Sequence, residues 1–280
     1  ELLRLPEEYR KSFEQSYPRF SDGEYKRRQD AMAAKMAAAG LDHVLMVTNA
    51  WVGNANVWMT GWRGTSECLT LFKPGEQMVM WVEYYNHLPQ CREVAKGVDV
   101  RWGQEKGAQL VADELAKRGA KKVGVIGPLN GAAWKGIETK VPLVSFGREY
   151  IELRLVKSEE EIQWMRIGGA LSDLGMRTLI AGTKVGMSEH ELSNMIERSY
   201  VGIGGTIGIH FIGSTPMSAP DCCVPRQYHT RRTVKPGDFV QVAIDALEDG
   251  YGETRLSRDK AKRLAAWMDL EQALEKGTLV

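Results

Sequence analysis

The sequence has few cysteines, no long apolar run and no excess of charge of one sign. Its four cysteines, Cys68, Cys91, Cys222 and Cys223, are too few and too scattered for a disulfide framework, and they form no CxxC pair. We therefore expect reduced thiols and a cytoplasmic protein. No window holds about 18 uncharged apolar residues, which excludes a membrane span. The formal net charge of +1 gives no general field for nucleic acid or anionic membrane.

The remaining composition is that of a globular chain. With 280 residues, 43% hydrophobic and 26% charged, the sequence predicts one or two domains that can each bury a core. Residues 1–21 are charged and aromatic and predict an N-terminal arm. Ser21 or Asp22 can cap a helix that runs to about Ala39, with Met32 and Met36 on its apolar face.

Residues 22–152 alternate between strand-like and helix-like segments, which predicts an α/β domain. After the run at 43–47, two apolar runs at 69–72 and 78–82 flank a Lys-Pro-Gly-Glu turn and predict a hairpin. Helical spacing over 105–118 and a buried-strand run at 123–126 continue the pattern.

A second domain is predicted over residues 153–280. Ser158 with Glu161, and Ser188 with Glu191, match the capping box that opens a helix. Further predicted elements are strands at 207–212 and 239–246, and an amphipathic helix in the last 20 residues.

The order of several motifs resembles that of creatinase, prolidase and aminopeptidase P. The motifs begin with Leu153-Arg154-Leu155-Val156-Lys157-Ser158-Glu159-Glu160-Glu161-Ile162, followed by Gly186–Leu192, Ile209–Ser214, Val234–Asp238 and Gly250-Tyr251. The resemblance implies a creatinase-like N-terminal α/β domain followed by an α+β domain of the pita-bread type that is incomplete at its C-terminus. It also implies a homodimer, in which the small domain of one subunit reaches the other subunit's site.

The metal chemistry of that family requires two Asp, a later His and two later Glu around a pair of divalent ions. In the register set by Gly237-Asp238 and Gly250-Tyr251, the two Asp positions fall on Ala243 and Thr254. Asp245 could be a displaced ligand or a solvated carboxylate, and every histidine precedes Gly250. We expect no cofactor; Mn, Co or Zn would bind only if residues beyond this sequence complete a site.

Creatinase hydrolyses a C–N bond without a metal and uses a loop histidine to handle protons. The matching position here is Arg226, and His229 lies three residues further along the same loop. His229 is a candidate catalytic residue because histidine titrates near neutral pH; the alternative is an exposed loop residue. His210 is the second candidate, with a satisfied core histidine as its alternative.

Four further residues are candidates for substrate binding. Arg231 and Arg232 could hold a substrate carboxylate, or they could lie on a solvated loop. Ser214 lies in a small-residue segment that resembles the family's pocket lining, with a tight turn as the alternative. Arg255 could brace the site or form a structural ion pair. The adjacent Cys222 and Cys223 would need a positive neighbour to be reactive.

Three functions remain open on sequence alone. The first is a creatinase- or aminopeptidase-P-like hydrolase of a C–N bond in a small amide, peptide or guanidino substrate, without a two-metal centre. The second is a non-catalytic binding or partner-interaction protein on the same scaffold. The third is an Xaa-Pro-type metallopeptidase completed by residues outside this sequence. The expected partners are a small molecule or short peptide and a second subunit, with neither nucleic acid nor membrane.

Overall fold

The computed structural model describes residues 6–49, 52–205, 210–220 and 228–243. These residues form two compact units, one over residues 17–160 and one that combines residues 6–16 with residues 161–243. The predicted boundary at 152/153 and the separate arm over 1–21 stay predictions. Within the described ranges, no helix is both long enough and apolar enough to cross a membrane.

The first helix, α1 (Glu7–Arg10), is one turn long and precedes the unit over residues 17–160. The helices of that unit are α2 (Asp22–Ala38), α3 (Ala55–Thr60), α4 (Leu88–Val94), α5 (Gly107–Lys117), α6 (Gly131–Glu138) and α7 (Gly147–Leu155). Its strands are β1 (His43–Thr48), β2 (Cys68–Phe72), β3 (Val79–Val82), β4 (Asp99–Trp102), β5 (Val123–Ile126) and β6 (Leu143–Ser145).

These six strands form one mixed sheet in the order β4-β3-β2-β1-β5-β6. The predicted hairpin is confirmed, since β2 and β3 pair antiparallel from Cys68 opposite Val82 to Leu71 opposite Val79. Its turn suits the sequence, because Pro74 is followed by Gly75 at φ 79°, the positive angle that a type II turn requires. The antiparallel pair β1–β2 and the parallel pairs β1–β5, β5–β6 and β3–β4 complete the sheet.

Helices cover both faces of the sheet. Successive side chains of a strand point to opposite faces, and here both sets are apolar and pack against helices. Along β1, Leu45 and Val47 enter a core with α5 and α6, whereas Val44 and Met46 enter a core with α2, α3 and α7. Ser21 accepts a hydrogen bond from the backbone of Glu24, so the predicted cap of α2 is confirmed. The unit is therefore a three-layer α/β structure.

Two glycines meet one backbone oxygen where β1 ends. A Cβ atom on Gly53 would lie 2.3 Å from the carbonyl oxygen of Val47, and one on Gly127 would lie 2.1 Å from the same oxygen. Both glycines also have positive φ angles, 90° and 102°. No side chain fits at either position without moving the strand.

The second unit contains α8 (Glu159–Gly182) from residue 161 onward, α9 (Glu189–Tyr200), a short 3-10 turn, and the antiparallel strands β7 (Phe211–Pro216) and β8 (Asp238–Ala243). The capping box of Ser188 and Glu191 is confirmed at the start of α9. Residues 207–209 of the strand expected at 207–212 lie outside the described residues, whereas the segment from Phe211 to Pro216 forms β7 and pairs along its whole length with β8. The prediction ended this strand four residues too early. The predicted C-terminal helix lies outside the described residues.

Candidate functional site

His210 precedes β7 and is the more enclosed of the two candidate histidines. Its Nε2 atom lies 3.0 Å from the hydroxyl of Tyr200, which ends α9, and 3.9 Å from a carboxylate oxygen of Glu197. Burial lowers the pKa of His210 and the charge of His229 acts in the same direction, while Glu197 opposes both. The ring is therefore neutral at pH 7. Burial and the charge of Glu197 raise the pKa of Tyr200 to about 12, so its hydroxyl stays protonated.

His229 lies in the loop that leads to β8 and contacts the backbone of His210. Its Nε2 atom is 3.1 Å from the carbonyl oxygen of His210. A carbonyl oxygen only accepts, so Nε2 of His229 carries the proton and donates. In the neutral ring, Nδ1 then holds the lone pair. The ring of His190 lies edge-on to it, with 6.2 Å between centroids.

Glu189, the first residue of α9, holds this loop and strand β7 together. One carboxylate oxygen accepts from the backbone N–H and the hydroxyl of Ser214, each at 2.9 Å. The other accepts from the backbone N–H of Thr230 at 2.8 Å and from its hydroxyl at 2.6 Å. Burial would raise the pKa of Glu189, but these four hydrogen bonds lower it overall. His229 is thereby fixed through its neighbour Thr230.

Arg232 extends the same network to β8. Its guanidinium donates to both carboxylate oxygens of Asp238, at 2.7 and 3.0 Å, and to the hydroxyl of Ser214 at 2.8 Å. Hydrogen bonds from Arg232 and from the backbone of Lys235 hold the pKa of Asp238 below its usual range. The predicted substrate-binding residues Arg232 and Ser214 are thus brought together, each bonded to a neighbouring carboxylate.

Arg231 and Tyr228 lie on the exposed side of the same loop. Arg255, Asp245, Cys222, Cys223 and Arg226 lie outside the described residues, so their predicted roles stay predictions. The roles of His210, His229, Ser214, Arg231 and Arg232 likewise stay predictions, although four of the five share one hydrogen-bonded region.

One of the two expected Asp positions of a two-metal centre lies within the described residues. Ala243, which occupies one expected Asp position, lies on β8 opposite Phe211 and has no side-chain ligand to offer. No group of three or more His, Cys, Asp and Glu within the described part of the chain is arranged to hold a metal ion.

Sequence reasoning missed Glu189, Thr230 and Asp238. The sequence carried one signal for Glu189: two acids follow Ser188, and only Glu191 is needed for the capping box. An acidic residue at the first position of a helix is explained by the helix dipole alone. The sequence therefore gave no reason to expect that the Glu189 side chain is buried.

The fold defined by these units is that of the prolidases and X-Pro aminopeptidases, which confirms at the level of fold the resemblance and the fold class read from the sequence. The chain is similar to an X-Pro aminopeptidase from Thermotoga maritima, with a TM-score of 0.65, 16% identity, and coverage of 76% of this chain and 59% of that one. An Xaa-Pro dipeptidase from Bacillus anthracis gives a TM-score of 0.62 at 19% identity, over 78% of this chain and 60% of the other. The chain therefore spans about 60% of the length of these structures.

Sequence comparison gives two likenesses of different kinds. The uncharacterized peptidase YqhT of Bacillus subtilis is 23% identical over 218 residues, which are 76% of this chain and 59% of that protein. Small ribosomal subunit protein bS1 of Neisseria meningitidis is 57% identical over 47 residues, only 17% of this chain and 8% of bS1. No sequence profile of a known protein family matches the chain.

Proposed function

We propose that the chain is part of a hydrolase that cleaves a C–N bond in a small amide, peptide or guanidino substrate, with His229 as the general base and without a two-metal centre. The geometry of His229 carries this proposal. Its Nε2–H is held by the carbonyl oxygen of His210, which leaves Nδ1 to accept a proton. The fold shared with Xaa-Pro peptidases supports the choice of reaction.

In the proposed reaction, Nδ1 of His229 takes a proton from water as the water oxygen bonds to the carbon of the scissile C–N bond. The same proton then passes to the leaving nitrogen as that bond breaks, so the imidazole returns to its neutral form. His210 contributes its carbonyl oxygen, which orients the base, and a ring that stays neutral because it is buried.

Arg231 is the proposed partner of a substrate carboxylate. Of the two loop arginines that the structure describes, Arg232 is already bonded to Asp238 and Ser214, whereas the Arg231 side chain is exposed. A guanidinium binds a carboxylate through two parallel hydrogen bonds. A substrate with a free C-terminal carboxylate, such as a dipeptide, fits this arrangement.

The test measures turnover of Xaa-Pro dipeptides and of a guanidino substrate by the unmodified chain, His229→Ala and Tyr228→Ala. We expect His229→Ala to lower kcat by about 100-fold or more and to leave the melting temperature within a few degrees. Tyr228, the exposed neighbour, is the matched control and should retain full turnover. Unchanged turnover in His229→Ala would remove His229 from the site.

Elemental analysis of the same preparation, together with its intact mass, tests whether the protein is instead a two-metal peptidase. About two Mn, Co or Zn ions per chain would contradict the proposal and would indicate that residues such as Asp245 serve as ligands. A metal-free preparation that retains turnover would support it.

A second candidate is a non-catalytic interaction protein, and the likeness to bS1 is the observation that favours it. The two likenesses cover 76% and 17% of the chain, so a peptidase-like part and a bS1-like segment can coexist without overlap. The corresponding proposal is that the bS1-like segment attaches the chain to the small ribosomal subunit. Co-sedimentation with purified small subunits, together with an absence of turnover, would favour this function and contradict the expectation of no nucleic-acid partner.

We also propose that the chain acts in the cytoplasm and as a homodimer. Cys68 and Cys91 are free and buried, which suits a reducing compartment. The homodimer rests on the family resemblance alone. Light scattering coupled to size exclusion measures it directly.

A further inference from the structure

One edge of the sheet in the unit over residues 17–160 presents three exposed aromatic side chains. The parallel strands β3 and β4 end opposite each other, with Val82 paired to Trp102, so the residues that follow both strands meet at this edge. The exposed fractions of Tyr84, Tyr85 and Trp102 are 52%, 66% and 45%. The rings of Tyr85 and Trp102 are in edge-to-face contact, with 5.2 Å between centroids and 73° between planes.

Two carboxylates lie beside this aromatic pair. Glu83 follows β3 and Glu67 precedes β2; the backbone N–H of Glu83 donates to the carbonyl oxygen of Glu67 at 3.1 Å. The backbone N–H of Glu67 in turn donates to the carboxylate of Glu83 at 3.1 Å. The indole N–H of Trp102 donates to the carbonyl oxygen of Glu83 at 3.0 Å, so the aromatic pair is hydrogen-bonded to the segment that carries one of the acids. Tyr84, Tyr85, Trp102, Glu67 and Glu83 are called the acidic aromatic surface below.

The acid pair has no counter-ion in the described part of the chain. Both side chains are half-buried, and neither forms an ion pair there. Burial and the negative charge of Glu83 raise the pKa of Glu67. Other carboxylates of this unit do have counter-ions; Glu114, for example, binds both Arg101 and Arg118. A partly buried negative charge without a counter-ion is unfavourable unless a ligand supplies the cation.

Two further features mark the same edge. Gln104, two residues after Trp102, has a φ angle of 51°, a left-handed conformation that other non-glycine residues of the described chain do not adopt. The indole N–H of Trp62 is buried without a hydrogen-bond partner. Its ring lies edge-on to His87, which contacts Tyr84. The Trp62 side chain belongs to the core beneath this edge, where it packs with Cys68 and Val82.

We propose that the acidic aromatic surface docks a polypeptide segment that presents an arginine side chain. The guanidinium would lie against the Trp102 indole and between the carboxylates of Glu67 and Glu83, a combination of cation–π contact and charge-assisted hydrogen bonds. A polypeptide rather than a bare cation is inferred because the three exposed aromatic rings beside the acids offer apolar contact to the residues that flank the arginine. This proposal is independent of the proposed hydrolase function.

The test uses the full chain and the peptide acetyl-Gly-Arg-Gly-Arg-Gly-amide, with a peptide in which citrulline replaces both arginines as its uncharged match. We expect calorimetric titration to show binding of the arginine peptide at least about tenfold tighter than that of the citrulline peptide. Trp102→Ala and Glu83→Gln should each weaken binding several-fold, whereas Glu138→Gln, at the exposed end of α6, should leave it unchanged.

The comparison of the two peptides needs no variant, so it remains decisive even if Trp102→Ala fails to fold. Equal binding of both peptides, or unchanged binding in Glu83→Gln, would overturn the proposal. If free arginine binds as tightly as the peptide, the surface is a site for a small cation, and the proposal that it docks a polypeptide is wrong. Loss of a dimer in Trp102→Ala, with no peptide binding, would make a second copy of the chain the occupant and would also contradict the proposal.

Discussion

The two units each bury a glutamate, and they satisfy its charge in different ways. Glu24, in α2, binds Arg28 at 2.7 Å and Arg27 at 2.8 Å, and the Arg28 guanidinium is itself buried beneath the ring of Phe20, 3.8 Å away. Glu189, at the start of α9, binds neutral donors in the described part of the chain, and they come from Ser214 and Thr230.

This difference separates a carboxylate that stabilises one helix from one that joins distant segments. The partners of Glu24 lie three and four residues away on the same helix. Those of Glu189 lie 25 and 41 residues away, on a strand and in the loop that carries His229. Burial alone would raise both pKa values; the arginines hold that of Glu24 at about 2, and hydrogen bonds lower that of Glu189.

The largest effect is expected from Glu24→Ala, which leaves the Arg28 guanidinium buried without its carboxylate. We expect a loss of about 3–5 kcal/mol in the unfolding free energy of the unit over residues 17–160. Hydrogen exchange, read by mass spectrometry on α2 peptides, measures it within that unit. Asp30→Ala, which breaks only the exposed pair with Lys26, should cost less than about 1 kcal/mol. Equal losses in the two variants would contradict the assigned role of Glu24.

A smaller effect is expected from Glu189→Gln, which keeps the volume but places an amide opposite donors. At least one N–H or O–H group loses its acceptor, at a cost of about 1–3 kcal/mol. Faster exchange should appear at the amides of Ser214 and Thr230, and not in the α2 peptides. Glu197→Gln, further along the same helix, is the matched control. If exchange at Thr230 is unchanged, Glu189 does not hold the loop.

The smallest effect is a pH dependence that both units share. The pKa of His210 is lowered mainly by burial, and so is that of His43, although Asp42 opposes the shift there. Since the unfolded state binds the proton more readily, stability falls as the pH drops below about 6.5. Urea unfolding between pH 7.5 and 5 measures this decline. His210→Gln should flatten it in the second unit alone; an unchanged slope there would show that His210 is not the group responsible.

Much of the α/β unit could be predicted from sequence because its signals are local. Ser21 caps α2, the Pro74-Gly75 turn joins β2 to β3, and the alternation of β1 divides its side chains between two cores. Each of these depends on residues that are close together in the chain. The end of the strand at 211–216 was predicted four residues too early because it is set by pairing with β8, more than 20 residues away.

The candidate site was only partly predictable for the same reason. His229 and His210 could be named from residue type, but the hydrogen bond that assigns the proton of His229 depends on the folded backbone. The inward turn of Glu189 likewise depends on where Thr230 and Ser214 lie. Spacing in the sequence does not encode either position.

The convergence of Gly53 and Gly127 on the carbonyl oxygen of Val47 has a consequence for how relatives of this chain are compared. Both positions should remain glycine across homologues that keep the sheet, whatever those homologues bind or catalyse, because any other residue collides with the same atom. Invariance there would reflect steric exclusion and carry no information about substrate. The acidic aromatic surface and the loop of His229 are free of that constraint, so variation between homologues at those positions can report on function.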